Sequence, residues 1–496
     1  MTLLFGAVAG LAVLVMFNSA LLTNTKSQLQ NAADAGAYTA GVLQARDHNF
    51  SAYTNRAMIA NQVAVAQFVS LESYFEDAAN TSDRANNTYH TIQRDLVPSF
   101  APLWDIAIQI PMASIRSGVS AISKPAVIAL DLLIEAFDAA QEIHHTGTAV
   151  DMFLVADEVV KKNDPQAKMT TSVFMLADGA AKVKAWSTDY TARHSANDSS
   201  KEADRFADAV VDRDSTDLFI RNRASVPTAA WISIPTEIAC PLGIPVVTLY
   251  AFPHFGGTFL SSDKKRWRGL DATMGGGTVT CIYEIGPFPI PVTYPLFDPT
   301  LSPPFVGGSG GAMAGNGSGY NAEFLGYKNN PFESGLYGGA LLSPALVPAE
   351  YRFWVKGPGS TLDTRGGLQD HYRDIRDPTN ASSKPKNQSA DENGGKFPVT
   401  IEVERPASTV HTTAKLLPGS KRLKLEDGEK GDTMRTIATA HAFFYRSRVD
   451  DSKQFTRNGW RRGDGKTEYE NLFSPYWQAR LAPSTTAEEL GSLAAQ

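Results

Sequence analysis

The hydrophobic pattern is most distinct at the start of the chain. Met1 to Leu22 (MTLLFGAVAGLAVLVMFNSALL) carries no charged side chain, and Lys26 is the first ionisable one. About 20 apolar residues in a helix cross the hydrocarbon core of a bilayer. Thr2 to Leu22 fills that length with Asn18 and Ser19 near the interface. Beyond it, Leu29, Ala32, Ala33, Gly36, Ala37, Ala40 and Leu43 recur at spacings of three and four, which predicts a continuing helix with one stripe of mostly small residues. The polar run Arg46-Asp47-His48-Asn49 predicts a corner. A second helix follows from about Phe50 to Asn80, with Tyr53, Ala57, Ala60, Ala64, Phe68, Leu71 and Phe75 on its buried face. Thr81 to Asn87 reads as a turn, and Tyr89 to Leu96 as a short helix ended by Pro98.

Ser123-Lys124-Pro125 reads as a helix start, because proline fits the first turn, where its missing N–H is not needed. The following AVIALDLLIEAFDAAQEI is amphipathic, and Asp131, Glu135 and Asp138 argue against a second membrane span. Further helix is expected at 148–162, 170–193 and 197–214. From about Ser225 the pattern becomes short apolar runs bounded by turn residues, the signature of strands. Those runs are 245–252, 278–285, 290–297, 351–355, 397–404 and 436–445. Gly307 to Gly319 reads as a glycine-rich loop and 377–395 as a long polar one. The expected class is α+β: a stalk helix over 1–48, a helical region over 49–222, a β-rich domain over 223–484 and a tail over 485–496.

Composition narrows the function. The chain has 496 residues, 43% hydrophobic and 20% charged, with net charge −6. It lacks the basic surplus that nucleic-acid binding wants, so no nucleic-acid partner is expected. The two cysteines, Cys240 and Cys281, are compatible with one disulfide in an oxidising compartment or with two buried thiols. No basic residue precedes the apolar run, unlike a secretory signal. Met1 is then either an initiator or the first residue after a removed leader. Gly6 and Gly10 form a GxxxG pair, which lets helices approach closely in lipid.

Catalytic and cofactor motifs are sparse. Glu142-Ile143-His144-His145 is not HExxH, since adjacent histidines cannot share a helix face, and it reads as a solvated helix end. The glycine-rich stretch lacks GxxxxGK[ST], and neither GxSxG nor CxxC occurs. Asp370, His371, Asp374 and Asp377 offer oxygens and an imidazole but read as loop charge. Aromatics such as Trp354, Tyr372, Trp460, Tyr476 and Trp477 have the faces that stack on sugars, with core packing the alternative. The expectation is a non-enzyme with no cofactor or metal.

Gln28-Leu29-Gln30-Asn31-Ala32-Ala33-Asp34-Ala35-Gly36-Ala37-Tyr38, just after the apolar run, resembles the "LQNAADAAA" signature of TadE/TadG-like proteins of bacterial Tad (Flp-type) pilus systems. Residues 45–62 resemble a longer-chain subgroup, and Asn471 to Leu481 (NLFSPYWQARL) is similar to their closing motif. The resemblance implies a pilin-like N-terminal helix, a bacterial inner-membrane anchor or an extracellular filament, and an exported globular domain. It implies partners among copies of itself and other pilus-assembly proteins. The residues expected to serve helix packing and assembly are Gly6, Gly10, Gln28, Asn31, Asp34, Asn55 and Arg56. Asn55 and Arg56, with Asn61 and Gln62, are expected to answer the polar band at 28–34 across the corner at 46–49. Two features depart from related patterns: Phe5 stands where pilins carry a glutamate, and no DxSxS metal motif occurs.

Overall fold

The computed structural model describes residues 2–96, 112–170, 173–187, 191–195, 201–223, 243–249, 254–275, 277–285, 288–295, 306–315, 360–361, 368, 371–375, 397–410, 433–445, 460–461, 467–468, 470–486 and 488–490. In chain order the helices are α1 (Thr2–Leu96), α2 (Met112–Asn163), α3 (Val173–Ala185), α4 (Lys201–Val211) and α5 (Leu218–Arg221). The strands are β1 (Lys168–Met169), β2 (Thr191–Ser195), β3 (Gly243–Leu249), β4 (His254–Leu260), β5 (Arg266–Gly275), β6 (Gly277–Ile285), β7 (Phe288–Pro295) and β8 (Val306–Gly315). They continue with β9 (Ser360–Thr361), β10 (His371–Ile375), β11 (Val399–Pro406), β12 (Thr433–Phe444), β13 (Trp460–Arg461), β14 (Thr467–Glu468) and β15 (Trp477–Ala482). Long helices fill the first part and sheets the later part, so the class is α+β. Two helices, α1 and α2, are long and apolar enough to cross a membrane.

Five local expectations are corrected. No corner occurs at 46–49 and no turn at 81–87, because α1 is one helix of 95 residues. α2 begins at Met112, not at Ser123, and carries Pro125 inside it. The sequence at 191–195 is strand rather than helix. Residues 307–315 are part of strand β8 rather than a loop. The runs at 351–355 and 377–395 lie outside the described residues.

The chain folds into two compact units that are not consecutive stretches, unlike the linear division at 48, 222 and 484. One comprises Met1–Arg56, Phe137–His194 and Tyr372–Gln496; the other comprises Ala57–Ala136 and Ser195–His371. In the first, an antiparallel sheet of order β1-β11-β12-β15 is built from distant segments. Val399 pairs with Ala440 and Phe444 with Trp477. Leu29, Ala32, Ala33, Ala37 and Ala40 of α1 join Met152, Ala156 and Val160 of α2 and Val399, Ile401 and Val403 of β11 in one core. The stripe read from the sequence is therefore the buried stripe. Its small residues are needed: a Cβ on Gly36 would come within 2.7 Å of Val160 Cγ2. Burying such small side chains gives less transfer energy each than burying leucine, but it brings a helix backbone close to the sheet.

In the second unit, β4-β5-β8-β9 form one sheet and β3-β6-β7 another. Ser73 and Asp77 of α1 lie against the first sheet, where a Cβ on Gly310 would overlap the Ser73 carbonyl oxygen and the Asp77 backbone. Gly310 of β8 is thus a strand residue selected by a helix lying against it. The buried face of α1 after residue 50 also differs from the expected one. Tyr53 is 62% exposed, while Asn55, Met58, Gln62, Val65, Ala66, Val69, Ser70 and Ser73 are buried.

Candidate functional site

The first turns of α1 are exposed. Its most apolar 18-residue window is 0% buried, with a mean hydropathy of 2.1. A Cβ on Gly6 or Gly10 would find nothing within 4 Å. Leu3, Leu4, Phe5, Val8, Leu11, Val13 and Met16 are all exposed. Burial begins at Thr25 and becomes regular at Leu29. One element therefore carries an unaccompanied apolar half and a packed half.

At the junction, Gln28 and Asn31 are exposed and Asp34 is half-buried. Gln30, within the polar band at 28–34, ties the band to the sheet. It donates to Asp34 Oδ1 at 2.8 Å and to the Ile437 carbonyl at 3.3 Å, and it accepts from Thr436 Oγ1. The band at 28–34 does not meet Asn55 and Arg56. They lie on the same helix, and 21 residues at 1.5 Å per residue put Asp34 and Asn55 about 30 Å apart.

Asn55 and Arg56 instead bind the chain's far end. Buried Asn55 donates from Nδ2 to the carbonyls of Leu472 (2.7 Å) and Arg373 (2.9 Å), and its Oδ1 accepts from Gln141 Nε2 at 2.7 Å. Arg56 Nε donates to the Phe473 carbonyl at 2.6 Å. Asn49 meets both backbone groups of Trp477: Nδ2 donates to its carbonyl at 2.9 Å, and Oδ1 accepts from its N–H at 3.0 Å. Gln44 spans two strands in the same way, donating to the Phe397 carbonyl and accepting from the Ala442 N–H, both at 3.0 Å. The segment 49–56 and the segment 471–477, singled out separately in the sequence, form one hydrogen-bonded contact.

The polar run at 46–49 stays helical, and its buried acid has partners. Asp47 is fully buried and accepts from His145 Nδ1 at 2.6 Å and from His144 Nδ1 at 2.8 Å. Burial alone would raise its pKa, but those two bonds and the nearby imidazoles outweigh it and hold the carboxyl well below the usual range. Trp186 lies stacked on both His145 and His48, with ring centroids 4.8 and 5.2 Å away. Burial pushes the His48 imidazole down to about 3. His144 and His145 therefore belong to a buried cluster, which corrects the expectation of a solvated helix end.

The second unit holds a comparable group. Arg223 grips Asp271 with two bonds, Nε to Oδ1 at 2.7 Å and Nη2 to Oδ2 at 2.6 Å. His254 lies 3.1 Å from Asp271 Oδ1 and 3.3 Å from Asp77 Oδ2. Burial pulls the imidazole down, but the bonds and charges of the two carboxylates overcome that and raise it to about 9. Ser73 Oγ donates to Asp271 at 2.5 Å, and Thr273 Oγ1 donates to Asp77 at 2.6 Å. All these side chains are buried, and the group ties α1 to the sheet.

Cys281 is disulfide-bonded. Cys240, the chain's other cysteine, lies outside the described residues, as do Asp370, Asp377 and Trp354. Asp374 Oδ1 accepts from the Leu472 N–H at 3.3 Å, and Tyr372 and Trp477 are buried. Among the described residues no cluster of His, Cys, Asp and Glu could hold a metal ion. No protein-family model, curated protein or solved structure matches the chain.

Proposed function

We propose that the chain is a subunit or minor component of a bacterial Tad-like (type IV pilus-like) extracellular filament, anchored in the inner membrane before assembly through residues 1–22. The observation that carries this reading is the division of α1 into an exposed apolar start and a following stretch packed onto an antiparallel sheet. An apolar helix of that length needs lipid or the apolar helices of neighbouring subunits around it. The same element serves both environments, so a subunit can pass from one to the other without refolding its globular part. Gly6 and Gly10, with open space around them, permit close approach of a neighbouring helix. The polar network from Gln44 to Arg56 rigidifies the attachment of the stalk, which a subunit under mechanical load requires. Support also comes from the resemblance of residues 28–38 and 471–481 to the TadE/TadG-like motifs; the first lies in α1, and the second bonds to the same helix at residues 49–56.

A second reading keeps the anchor without the polymer: a membrane-bound assembly factor with an exported globular part. Shearing of cells followed by fractionation separates the two. A filament subunit leaves with the sheared material, and negative-stain microscopy of that material then shows filaments carrying it. Retention of all the protein with the membranes sinks the filament reading and leaves the assembly factor.

A further inference from the structure

Helix α2 carries a seven-residue repeat that its buried face does not use. Ile115, Ile122, Ala129, Ala136, Ile143 and Val150 stand at successive intervals of seven, and all six are exposed. The positions four residues after each are valine, alanine, leucine, alanine, glycine and leucine, and none of them is buried. No acid or base falls on any of these twelve positions, although the helix carries Arg116, Lys124, Asp131, Glu135, Asp138 and Glu142 elsewhere. The opposite face is the packed one, with Val127, Ile134, Gln141, Met152 and Val160 buried. Exposure on the stripe runs from 37% at Ile115 through 52% at Val150 and 65% at Ile122 to 74% at Ile143.

A sustained apolar repeat of seven marks a helix that pairs with another through a left-handed supercoil. Being positions on one helix, the residues keep their spacing through helix geometry alone. We infer that this stripe is the pairing surface for α2 of a second copy of the chain, the two helices running parallel and in register. The size is adequate. Forty residues span about 60 Å, and a seam roughly 10 Å wide buries about 600 Å² per copy, or about 1,200 Å² in all. That reaches the lower end of specific protein interfaces, about 1,200 Å². The order of side chains suits a self-pair as well. The centre of the stripe holds alanines, which let two identical helices approach, and isoleucines lie on both sides of it. A parallel pair is also the arrangement that lets the apolar starts of both α1 helices enter one bilayer; that clause rests on the membrane reading, whereas the test below needs no bilayer.

The test uses the full chain in detergent. Ile122→Cys and Ile143→Cys are each oxidised, beside the unsubstituted chain and Ser117→Cys, which is exposed off the stripe. Covalent dimers at 122 and at 143, and not in the two controls, are the expected result. Light scattering should give twice the chain mass, and the doubly charged variant Ile122→Glu/Ile143→Glu should halve it with helicity by circular dichroism unchanged. A monomer mass for the unsubstituted chain, or cross-linking no stronger on the stripe than at 117, overturns the pairing. So does quenching of a fluorophore at 122 by brominated lipid in reconstituted vesicles without cross-linking, which would assign the stripe to lipid. Failure here leaves the filament reading intact, because that reading depends on the α1 start and on shear fractionation.

Discussion

Gln44, Asn49 and Asn55 share one task. Each places a primary amide where two backbone groups of other segments would otherwise go unpaired. Asn49 imitates a strand neighbour for Trp477 by donating to its carbonyl and accepting from its N–H. Asn55 Nδ2 serves two carbonyls, and its oxygen is satisfied by Gln141. Leaving a buried polar group unsatisfied costs about 1–3 kcal/mol. Asn49→Ala and Asn55→Ala are therefore each expected to lower the unfolding free energy by about 1–3 kcal/mol in urea titrations. Asn55→Asp keeps the shape but removes the donor, and it should be at least as damaging as alanine. Arg56 is exposed, so Arg56→Ala should cost less, about 0.5–1.5 kcal/mol, by the same measurement. Equal effects at 55 and 56 would show that the bonds, and not burial, set the cost.

Helix α1 shows how far a hydrophobic pattern reaches. Its first 43 residues were legible, because apolar exposure and then a small-residue stripe decide what they do. From residue 50 the apolar positions pointed to Tyr53, Ala57 and Ala60, yet the buried face sets Asn55, Gln62, Ser70, Ser73 and Asp77 beside Met58, Val65, Ala66 and Val69. A polar residue is buried only when something bonds it, and the partners (Trp267, Thr258, Asp271, Thr273) lie some 190 to 205 residues away. Periodicity contains no record of them. The same blindness placed a corner at 46–49, where His144 and His145 of α2 hydrogen-bond the buried Asp47 carboxylate. It also made a loop of β8, where Gly310 is required by the closeness of α1. Gly310→Ala tests that closeness: with helix backbone on one side and no flexible side chain to yield, overpacking should cost about 1–3 kcal/mol or more. Gly118, with open space around it in α2, is the contrast. Gly118→Ala should stabilise by roughly 0.5–1 kcal/mol through helix propensity, read by the same denaturation curves.

For the molecule as a whole, the first 22 residues contribute nothing to either core. Deleting residues 1–22 should leave the melting temperature within a few degrees while removing the protein from the membrane fraction. A collapse of the melting temperature would show that the apolar segment packs on the folded part after all. The dependence on pH is set elsewhere, by two buried histidines pushed in opposite directions. His254 is held at about 9, above the ordinary 6.5, by Asp271 and Asp77 against the pull of burial. Its protonated form favours the folded state. That stability is complete below about 6.5, the unfolded value, and disappears as pH rises through 9. His48 is pushed by burial to about 3, so folding favours its neutral form. Its contribution is complete above about 6.5 and is lost as pH falls towards 3, since the unfolded chain takes up the proton first. Thermal melts should therefore show a maximum near neutrality with two independent limbs. His254→Gln should flatten the alkaline limb and leave the acid one. His48→Gln should flatten the acid limb down to the region where Asp47 itself begins to titrate. If either substitution flattens both limbs, the two histidines are not the separate sources of the pH dependence that their opposite surroundings imply.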